Sequence, residues 1–221
     1  MVGERYFAAR EKLLTCFDAI RALGDEVRLE EVEVEDSAWA DLTRPLRIVA
    51  LGEVNAGKST VLNALVGKEL CPASPLPTTQ RTIHYCHGPA ERDQDTEEGW
   101  QLAFRPVDFL RRIELIDTPG CNSGWREAVL GDVDRFAKGD LILVVFPAGN
   151  TWTAATWDLL SALDDDALER VLLVVQQADE KTADDLRVIE GHMRDLSIKK
   201  VGRELPILNM AAGLALEAKL S

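Results

Sequence analysis

The sequence predicts an α/β fold in which a mostly parallel sheet is covered by helices on both faces, with a helical appendage at the N-terminus. From Pro45 onward, short apolar runs alternate with segments of helical periodicity, which is the pattern of a parallel sheet with crossover helices. The first apolar run leads through a glycine-containing loop into an apolar helix. A chain of 221 residues is long enough for one such domain with a full core.

The predicted elements follow from apolar runs bounded by turn-forming residues and from apolar positions three or four residues apart. Residues 89–99 are polar and charged, so we interpret them as a loop or a hairpin turn. The predicted strands are 46–51, 81–86, 100–105, 112–117, 140–146, 170–176 and 205–210. The predicted helices are 58–66, 126–138, 153–163, 182–196 and 213–220.

The N-terminal appendage, residues 1–44, is expected to be an amphipathic helix followed by an acidic linker. Residues 4–24 place their apolar side chains on one helical stripe, and Gly24 is expected to end the helix. The stripe fits a helix packed on its own domain and a helix paired with another helical segment equally well. Residues 25–41 are acidic and are interpreted as a connector to a domain that spans 45–221.

The composition excludes several classes of function. A formal net charge of −13 argues against nonspecific nucleic-acid binding and against charge-driven adhesion to anionic membranes. The sequence has no signal-peptide core and no apolar run of membrane-spanning length, so a cytoplasmic location is expected. The cysteines and histidines are scattered without the spacing of zinc ligands, which predicts reduced thiols and no metal site among them.

The loop at residues 52–60 carries the most specific motif, GEVNAGKST, which matches G-x-x-x-x-G-K-[ST] between a strand and a helix. In that context the backbone N–H groups surround phosphate oxygens, the lysine reaches the β- and γ-phosphates, and the serine hydroxyl coordinates Mg²⁺. A glycine turn that fits the pattern by chance is the alternative. The residues predicted to bind the nucleotide here are Glu53, Val54, Asn55, Ala56, Gly57, Lys58, Ser59 and Thr60.

A second motif, DTPG, ends the apolar strand predicted at 112–117. In a phosphate-loop fold, a carboxylate at this place holds Mg²⁺ through water, and a glycine N–H can meet the γ-phosphate. Asp117 is therefore predicted to lie on the metal side and Gly120 to contact the third phosphate. An ordinary strand-ending turn is the alternative, since Asp, Pro and Gly all form turns.

Between these motifs, residues 75–81 (PLPTTQR) form a proline-stiffened segment with two hydroxyls. Such a loop can become ordered when a triphosphate binds and can offer one threonine hydroxyl to Mg²⁺. Thr79 is the first choice for this metal and catalytic role and Thr78 the second. A simple Pro-Thr turn is the alternative.

With these motifs in place, the chain resembles the GTPase domain of the dynamin superfamily, especially its bacterial members. The resemblance covers about residue 46 to the end and rests on GEVNAGKST, PTT at 77–79, DTPG at 117–120 and the tail 206–216 (PILNMAAGLAL). It implies a Mg²⁺-dependent hydrolase that converts GTP to GDP and phosphate.

The resemblance also implies how the base is recognised. Where the family has Asn/Thr-Lys-x-Asp, this chain has Gln176, Gln177, Ala178 and Asp179, and Asp179 stands where a carboxylate accepts two guanine N–H groups. Gln177 replaces the lysine, so the preference for guanine should persist with weaker affinity. The alternative role for Asp179 is to cap the helix that begins near Thr182. The family's Ser-Ala base loop corresponds to Ala211 and Ala212.

Two departures from the family predict slow turnover. Val54 stands where dynamin has Gln, and Cys121 stands where Ras-like proteins orient water with Gln, so no side chain is evident to polarise the attacking water. In similar GTPases an asparagine at the place of Asn55 helps to hold a monovalent cation, here K⁺, when two domains meet at their nucleotide-binding faces. A homodimer through that face would then stimulate hydrolysis.

Three functions remain open at this point. The first is a GTPase that in a longer protein remodels membranes, with membrane contact through regions absent from this chain and location at the inner face of the membrane. The second is a nucleotide-gated binding module that does not hydrolyse GTP, and the third is an ATP-using phosphate-loop enzyme. The resemblance fits both a truncated GTPase domain and a small stand-alone protein.

Overall fold

The computed structural model describes residues 2–27, 42–72, 81–120 and 131–221. The chain forms two compact units, Met1–Pro45 and Leu46–Ser221.

The first unit contains helix α1, Val2–Val27. The predicted end at Gly24 is wrong because the helix continues through this residue; one glycine costs a helix only about 1 kcal/mol relative to alanine. Arg10 of α1 donates hydrogen bonds to the carbonyl oxygens of Leu42 (2.5 Å) and Arg44 (2.6 Å). Most of the predicted acidic linker, residues 28–41, lies outside the described residues. The apolar residues of the predicted stripe that are exposed are Tyr6, Leu13, Ile20 and Leu23.

The second unit is built on an eight-stranded sheet with the order β3-β4-β2-β5-β1-β6-β7-β8. All seven predicted strands are present, and they are joined by β3, which falls in the segment interpreted as a loop or hairpin turn and pairs antiparallel with β4. Strands β5, β1, β6, β7 and β8 run parallel, whereas β2 pairs antiparallel with β5. The strands are β1 Leu46–Gly52, β2 Ile83–His87, β3 Arg92–Asp95, β4 Gln101–Arg105, β5 Ile113–Asp117, β6 Leu141–Pro147, β7 Val171–Gln176 and β8 Ile207–Met210.

The helices of this unit largely follow the prediction. The helix predicted at 153–163 is shorter in the structure, Ala154–Leu160, and a further short helix that was not predicted follows at Asp165–Leu168. Of the helix predicted at 126–138, the described part includes the short helix Val133–Phe136, while residues 126–130 lie outside the described ranges. Short 3-10 turns occur at Asp108–Arg111 and Ala178–Glu180. The helices are α2 Lys58–Val66, α3 Val133–Phe136, α4 Ala154–Leu160, α5 Asp165–Leu168, α6 Ala183–Val201 and α7 Ala212–Leu220.

Two apolar cores cover the two faces of the sheet, which confirms the predicted three-layer α/β sandwich. Neighbouring residues of β1 face opposite cores, as the period of two in a strand requires: Val49 and Leu51 join one core, and Ile48 and Ala50 join the other. The first core includes side chains from α3, α4 and α6, and the second includes side chains from α2 and α7. The central strand is buried on both faces, as expected for a parallel sheet.

The parallel strands end together at one edge of the sheet. Ala50 is paired with Asp117, Gly52 with Val145, and Gln176 with Met210. This edge therefore gathers the ends of β1, β5, β6, β7 and β8, and it is the edge at which ligands bind in open α/β sheets.

Candidate functional site

The loop between β1 and α2 has the backbone of an anion-binding nest. Asn55 has φ 61° and Gly57 has φ 91°, so left-handed residues alternate with ordinary ones over the turn. Such alternation directs successive N–H groups towards one side of the loop. Asn55 is exposed at the turn, whereas Glu53 and Ala56 are buried. The loop can therefore present amide groups to an anion beside the N-terminus of α2.

Gly57 is required where the loop meets β7. A Cβ atom on Gly57 would lie 2.7 Å from Cγ of Gln176, in addition to the strain of its positive φ. The Gln176 side chain is itself buried, and its Oε1 accepts a hydrogen bond of 3.0 Å from the backbone N–H of Ala212. Gln176 thus packs against the phosphate loop and holds the start of α7 at the same time.

The Lys58 side chain lies across the loop. Its Nζ donates hydrogen bonds to the carbonyl oxygens of Gly52 (3.2 Å) and Glu53 (2.8 Å), and the side chain is buried. These bonds hold the ammonium group against the concave backbone, where it can also bind a phosphate oxygen.

Ser59 and Asp117 are brought together from different parts of the sequence. The Ser59 hydroxyl donates a hydrogen bond of 2.7 Å to Oδ2 of Asp117, which is completely buried at the end of β5. Thr118, the next residue, donates from Oγ1 to the carbonyl oxygen of Ala50 at 2.8 Å. This second bond fixes the end of β5 against β1 and so places the carboxylate beside the first turn of α2.

Gly120 packs directly on the phosphate loop. A Cβ atom on Gly120 would lie 2.3 Å from the backbone nitrogen of Val54, so any other residue would push the two segments apart. The two motifs recognised in the sequence are therefore in van der Waals contact.

The donor set at Ser59 and Asp117 fits Mg²⁺. Both side chains offer oxygen atoms, which are the ligands that this hard cation prefers. The Cys71 thiol near Asp117 stays protonated, because burial, followed by the charge of Asp117, raises its pKa. Burial, followed by electrostatic interaction with Cys71 and Asp117, likewise raises the pKa of the Tyr85 phenol.

The segment after β7 contains Asp179, the residue predicted to recognise the base. Gln177 is left-handed with φ 65°, and Asp179 lies in the following 3-10 turn with an exposed side chain. The alternative that Asp179 caps the next helix is wrong, because Thr182 is the N-cap of α6 and forms a reciprocal capping box with Asp185. Helix capping therefore does not explain an aspartate at position 179.

The other residues predicted for this site lie at the start of α7 and in the first turn of α2, or outside the described residues. Ala211 precedes α7 and is half-buried, Ala212 is its first residue and is buried, and Thr60 is half-buried in the first turn of α2. Thr78, Thr79 and Cys121 lie outside the described residues.

Sequence reasoning missed one buried connection near the site. The Asn63 side chain donates to the carbonyl oxygen of Cys71 (2.8 Å) and accepts from the backbone N–H groups of Leu70 (2.8 Å) and Cys71 (2.7 Å). It is buried, and it fixes the chain that leaves α2. An amide side chain inside the otherwise apolar stretch of helix at 61–65 was the available signal.

Comparisons with known proteins agree with this geometry. The family model described as "50S ribosome-binding GTPase" matches residues 47–177. The chain is 28% identical over 199 residues to the probable transmembrane GTPase FZO-like, chloroplastic, of Arabidopsis thaliana, which covers 87% of this chain and 22% of that protein. It is 38% identical over 92 residues to the isoniazid-induced protein IniC of Mycobacterium tuberculosis, which covers 37% of this chain and 19% of that protein.

Two solved structures share the fold. A chain from an oligomerised bacterial dynamin pair superimposes with a TM-score of 0.66 at 17% identity, covering 95% of this chain and 40% of that one. The bacterial dynamin GTPase LeoA from ETEC gives 0.63 at 18% identity, covering 95% and 38%. These two likenesses show that the chain shares the fold of those GTPase domains. This chain spans about a fifth of these curated relatives and about two-fifths of these solved chains.

None of the helices in the described ranges combines the length and the apolar character needed to cross a membrane.

Proposed function

The chain belongs to the GTPase family whose model is described as 50S ribosome-binding GTPase, and from this premise we propose that it binds GTP with Mg²⁺ and hydrolyses it to GDP and phosphate. The observation that carries the proposal is the 2.7 Å contact between Ser59 and Asp117 beside the phosphate loop. It supports a site at which phosphate oxygens and one divalent ion are held together.

The residues of the loop have separate tasks in this proposal. The amide groups of residues 53–59 receive the phosphate oxygens, and Lys58 adds a positive charge between the β- and γ-phosphates. Ser59 would coordinate Mg²⁺ directly, and Asp117 would hold it through water. When bound, Mg²⁺ neutralises charge on the phosphate oxygens. The backbone N–H of Gly120, which lies against Val54, would meet the γ-phosphate.

Base recognition is assigned to the ends of β7 and β8. The exposed Asp179 carboxylate can accept both the ring N–H and the exocyclic amine of guanine, whereas adenine offers no such pair of donors. Gln177 has an aliphatic stem without the lysine charge, and Ala211 has no polar side chain. We therefore propose a preference for GTP with modest affinity.

Turnover by the isolated domain should be slow. Val54, at a position from which a side chain could orient water, is apolar and packs against Gly120. Asn55 is exposed at the turn of the loop, where its side chain could help to bind K⁺ in a homodimer formed through the nucleotide-binding faces. A cation at this place would offset negative charge that develops during phosphoryl transfer.

Thr79 is proposed to supply a hydroxyl to Mg²⁺ in the nucleotide-bound state, and Thr78 is the second choice. A Thr79→Ala variant should bind GTP as the wild type does and release phosphate more slowly. Thr78→Ala is the matched control, and a larger loss of turnover in that variant would transfer the role to Thr78.

The deciding experiment compares GTP and ATP in direct titrations with Mg²⁺, followed by phosphate release in K⁺ and in Na⁺ at low and high protein concentration. Tighter GTP binding and a rate per molecule that increases with protein concentration in K⁺ are expected. Equal affinity for the two nucleotides would favour an ATP-using enzyme. Equal turnover in both salts at all concentrations would remove the roles of K⁺ and the dimer.

A nucleotide-gated binding module without hydrolysis is the second candidate, because Val54 offers no polar group to the attacking water. Phosphate release that stays undetectable when dimerisation is permitted would leave this function in place of the first.

The larger context is also a proposal. One structural neighbour is described in terms of sensing and tethering membranes, and one relative is named a transmembrane GTPase. We propose that this domain works in a longer protein that remodels membranes from the cytoplasmic side, with membrane contact through other regions. No nucleic-acid partner is expected for a chain with a net charge of −13.

A further inference from the structure

A polar cluster lies on the sheet away from the phosphate loop. It consists of His84 and Cys86 on β2 and Glu114 on β5, and one ligand atom from each lies within 4.8 Å of the others. Among the described residues this group has the side chains and the spacing that a metal ion needs. The sequence predicted no metal site among the cysteines and histidines, because Glu114 lies 28 positions after Cys86 and the two meet only through strand pairing.

The strand pairing brings the three side chains together. His84 and Cys86 are two residues apart on β2 and therefore point to the same face of the sheet. The antiparallel register pairs His84 with Ile116 and Tyr85 with Leu115, and one further step places Cys86 beside Glu114. All three come from strands rather than loops, so their backbones are held in place by the sheet.

We propose that His84, Cys86 and Glu114 form a binding site for a borderline transition-metal ion of the Zn²⁺ class. Nε2 of His84 lies 2.9 Å from Oε2 of Glu114, and the two side chains are only 13% and 14% exposed. An ion with bonds of about 2.0–2.3 Å holds tetrahedral ligands about 3.3–3.7 Å apart. A pair of ligand atoms at the 4.8 Å limit therefore has to approach by about 1 Å to reach this arrangement.

The donor set selects the kind of ion. One imidazole nitrogen, one sulfur and one carboxylate oxygen suit Zn²⁺ or Co²⁺, whereas Mg²⁺ and Ca²⁺ prefer oxygen ligands alone. A thiolate and a carboxylate balance the two charges of the ion, and water completes a tetrahedral site. This site thus differs in chemistry from the oxygen-only pair Ser59 and Asp117.

Metal binding must displace the protons held by the ligand atoms. Burial, followed by the charge of Glu114, raises the pKa of Cys86 to about 12, so the thiol is protonated in the metal-free protein and releases one proton to solvent as the ion binds. His84 would bind the ion through the lone pair of Nε2, with the ring proton on Nδ1. Glu114 is already a carboxylate.

Arg47 is the charged neighbour that opposes a cation. Its Nε lies 3.3 Å from Oε2 of Glu114, and its side chain is 37% exposed. A carboxylate has about four lone-pair positions, so Glu114 can keep this hydrogen bond while it binds an ion through its other oxygen. Arg47 then orients the ligand in the way that outer-sphere partners of metal sites do.

The test uses Co²⁺ as an optical probe of the metal-free chain without nucleotide. Saturable binding with a sulfur-to-cobalt charge-transfer band is expected in the wild type and in Cys16→Ser, which alters an exposed cysteine of α1. The band should disappear in Cys86→Ser, and affinity should fall about 10–100-fold or more in His84→Gln. Zn²⁺ should displace Co²⁺ from the wild type.

X-ray absorption of the Zn²⁺-loaded wild type gives a second measurement that needs no variant. One sulfur at about 2.3 Å together with nitrogen or oxygen ligands near 2.0 Å is expected. No saturable Co²⁺ binding at 100 µM ion, an unchanged band in Cys86→Ser, or a zinc shell without sulfur would overturn the site and leave the cluster as an ion-pair network.

Discussion

The hydroxyl of Ser59 lies 2.7 Å from the carboxylate of Asp117, although 58 positions separate the two residues in the sequence. The contact depends on Thr118, whose hydroxyl binds the carbonyl oxygen of Ala50 and so ties the end of β5 to the strand that leads into the phosphate loop. Two side chains that favour the same hard cation are therefore positioned by the sheet itself.

Asp117→Asn should reduce Mg²⁺-dependent turnover. The amide keeps the shape of the side chain and can still contact Ser59, but it removes the negative charge that attracts the ion, so the Mg²⁺ concentration for half-maximal phosphate release should rise about 10–100-fold. A Mg²⁺ titration measures this. Asp166→Asn, an exposed site on α5, is the matched control, and an identical Mg²⁺ dependence in both variants would refute the metal assignment.

Lys58→Ala should abolish tight GTP binding. The ammonium group is buried against the loop, and hydrogen bonds to charged groups contribute about 1.5–3 kcal/mol each, so loss of two phosphate bonds predicts a fall of about 100-fold or more in affinity. Fluorescence titration with a labelled GTP analogue measures the Kd. Lys68→Ala, an exposed lysine just beyond α2, should bind as the wild type does. Similar affinity in the Lys58 and Lys68 variants would remove Lys58 from the site.

The phosphate loop was predictable from the sequence because its information is local. The strand, the two glycines, the lysine and the start of the helix occupy one continuous stretch, in which β1 spans Leu46–Gly52 and α2 spans Lys58–Val66. The same holds for Thr182 and Asp185, whose capping box begins α6. Local rules are sufficient where one segment contains every partner.

The features that sequence reasoning missed depend on partners elsewhere in the chain. Strand β3, Arg92–Asp95, is polar and exposed throughout, and it is a strand because its backbone pairs with β4. The cluster of His84, Cys86 and Glu114 exists only through the register of β2 and β5. Periodicity cannot identify these features because the cause lies in the pairing and not in the segment.

Asp179→Asn should weaken GTP binding without changing ATP binding. The amide can no longer accept both guanine N–H groups, and the loss of one charge-assisted hydrogen bond predicts a fall of about 10–100-fold. Glu180→Gln alters the adjacent exposed carboxylate and serves as the control. Competition titrations with GTP and ATP measure both variants, and an unchanged ratio in Asp179→Asn would argue against base recognition by this residue.

Gln177→Lys should strengthen GTP binding. It restores a charge along the base, and a cation near an aromatic ring at an exposed site contributes about 0.5–1 kcal/mol, which corresponds to a gain of about two- to fivefold. Calorimetry at fixed Mg²⁺ measures the change. Weaker binding in this variant would show that the left-handed backbone at position 177 directs the side chain away from the base.

Asn63→Ala should destabilise the domain by about 2–4 kcal/mol, because it leaves the half-buried N–H of Leu70 and the buried N–H of Cys71 without their acceptor. Urea unfolding at pH 7 measures the free energy. Asn150→Ala, at an exposed turn after β6, should change it by less than about 0.5 kcal/mol. Equal stability of the two variants would mean that water replaces the lost hydrogen bonds.

The lowered pKa of Glu114 predicts a pH-dependent contribution to stability in the metal-free protein. Burial raises its pKa, but hydrogen bonds and charges from His84 and Arg47 outweigh burial, so its pKa is lower than in the unfolded chain. A carboxyl group with a lowered folded-state pKa stabilises the protein above the unfolded value of about 4.3, and this contribution disappears as the pH falls through the folded value. Glu114→Gln should therefore reduce the free energy of unfolding at pH 7, and the difference from the wild type should shrink as the pH falls below about 4.

Urea unfolding across this range measures the effect, with Glu97→Gln in the exposed β3–β4 turn as the control. A difference that stays constant with pH would indicate that Glu114 acts through packing and not through its charge.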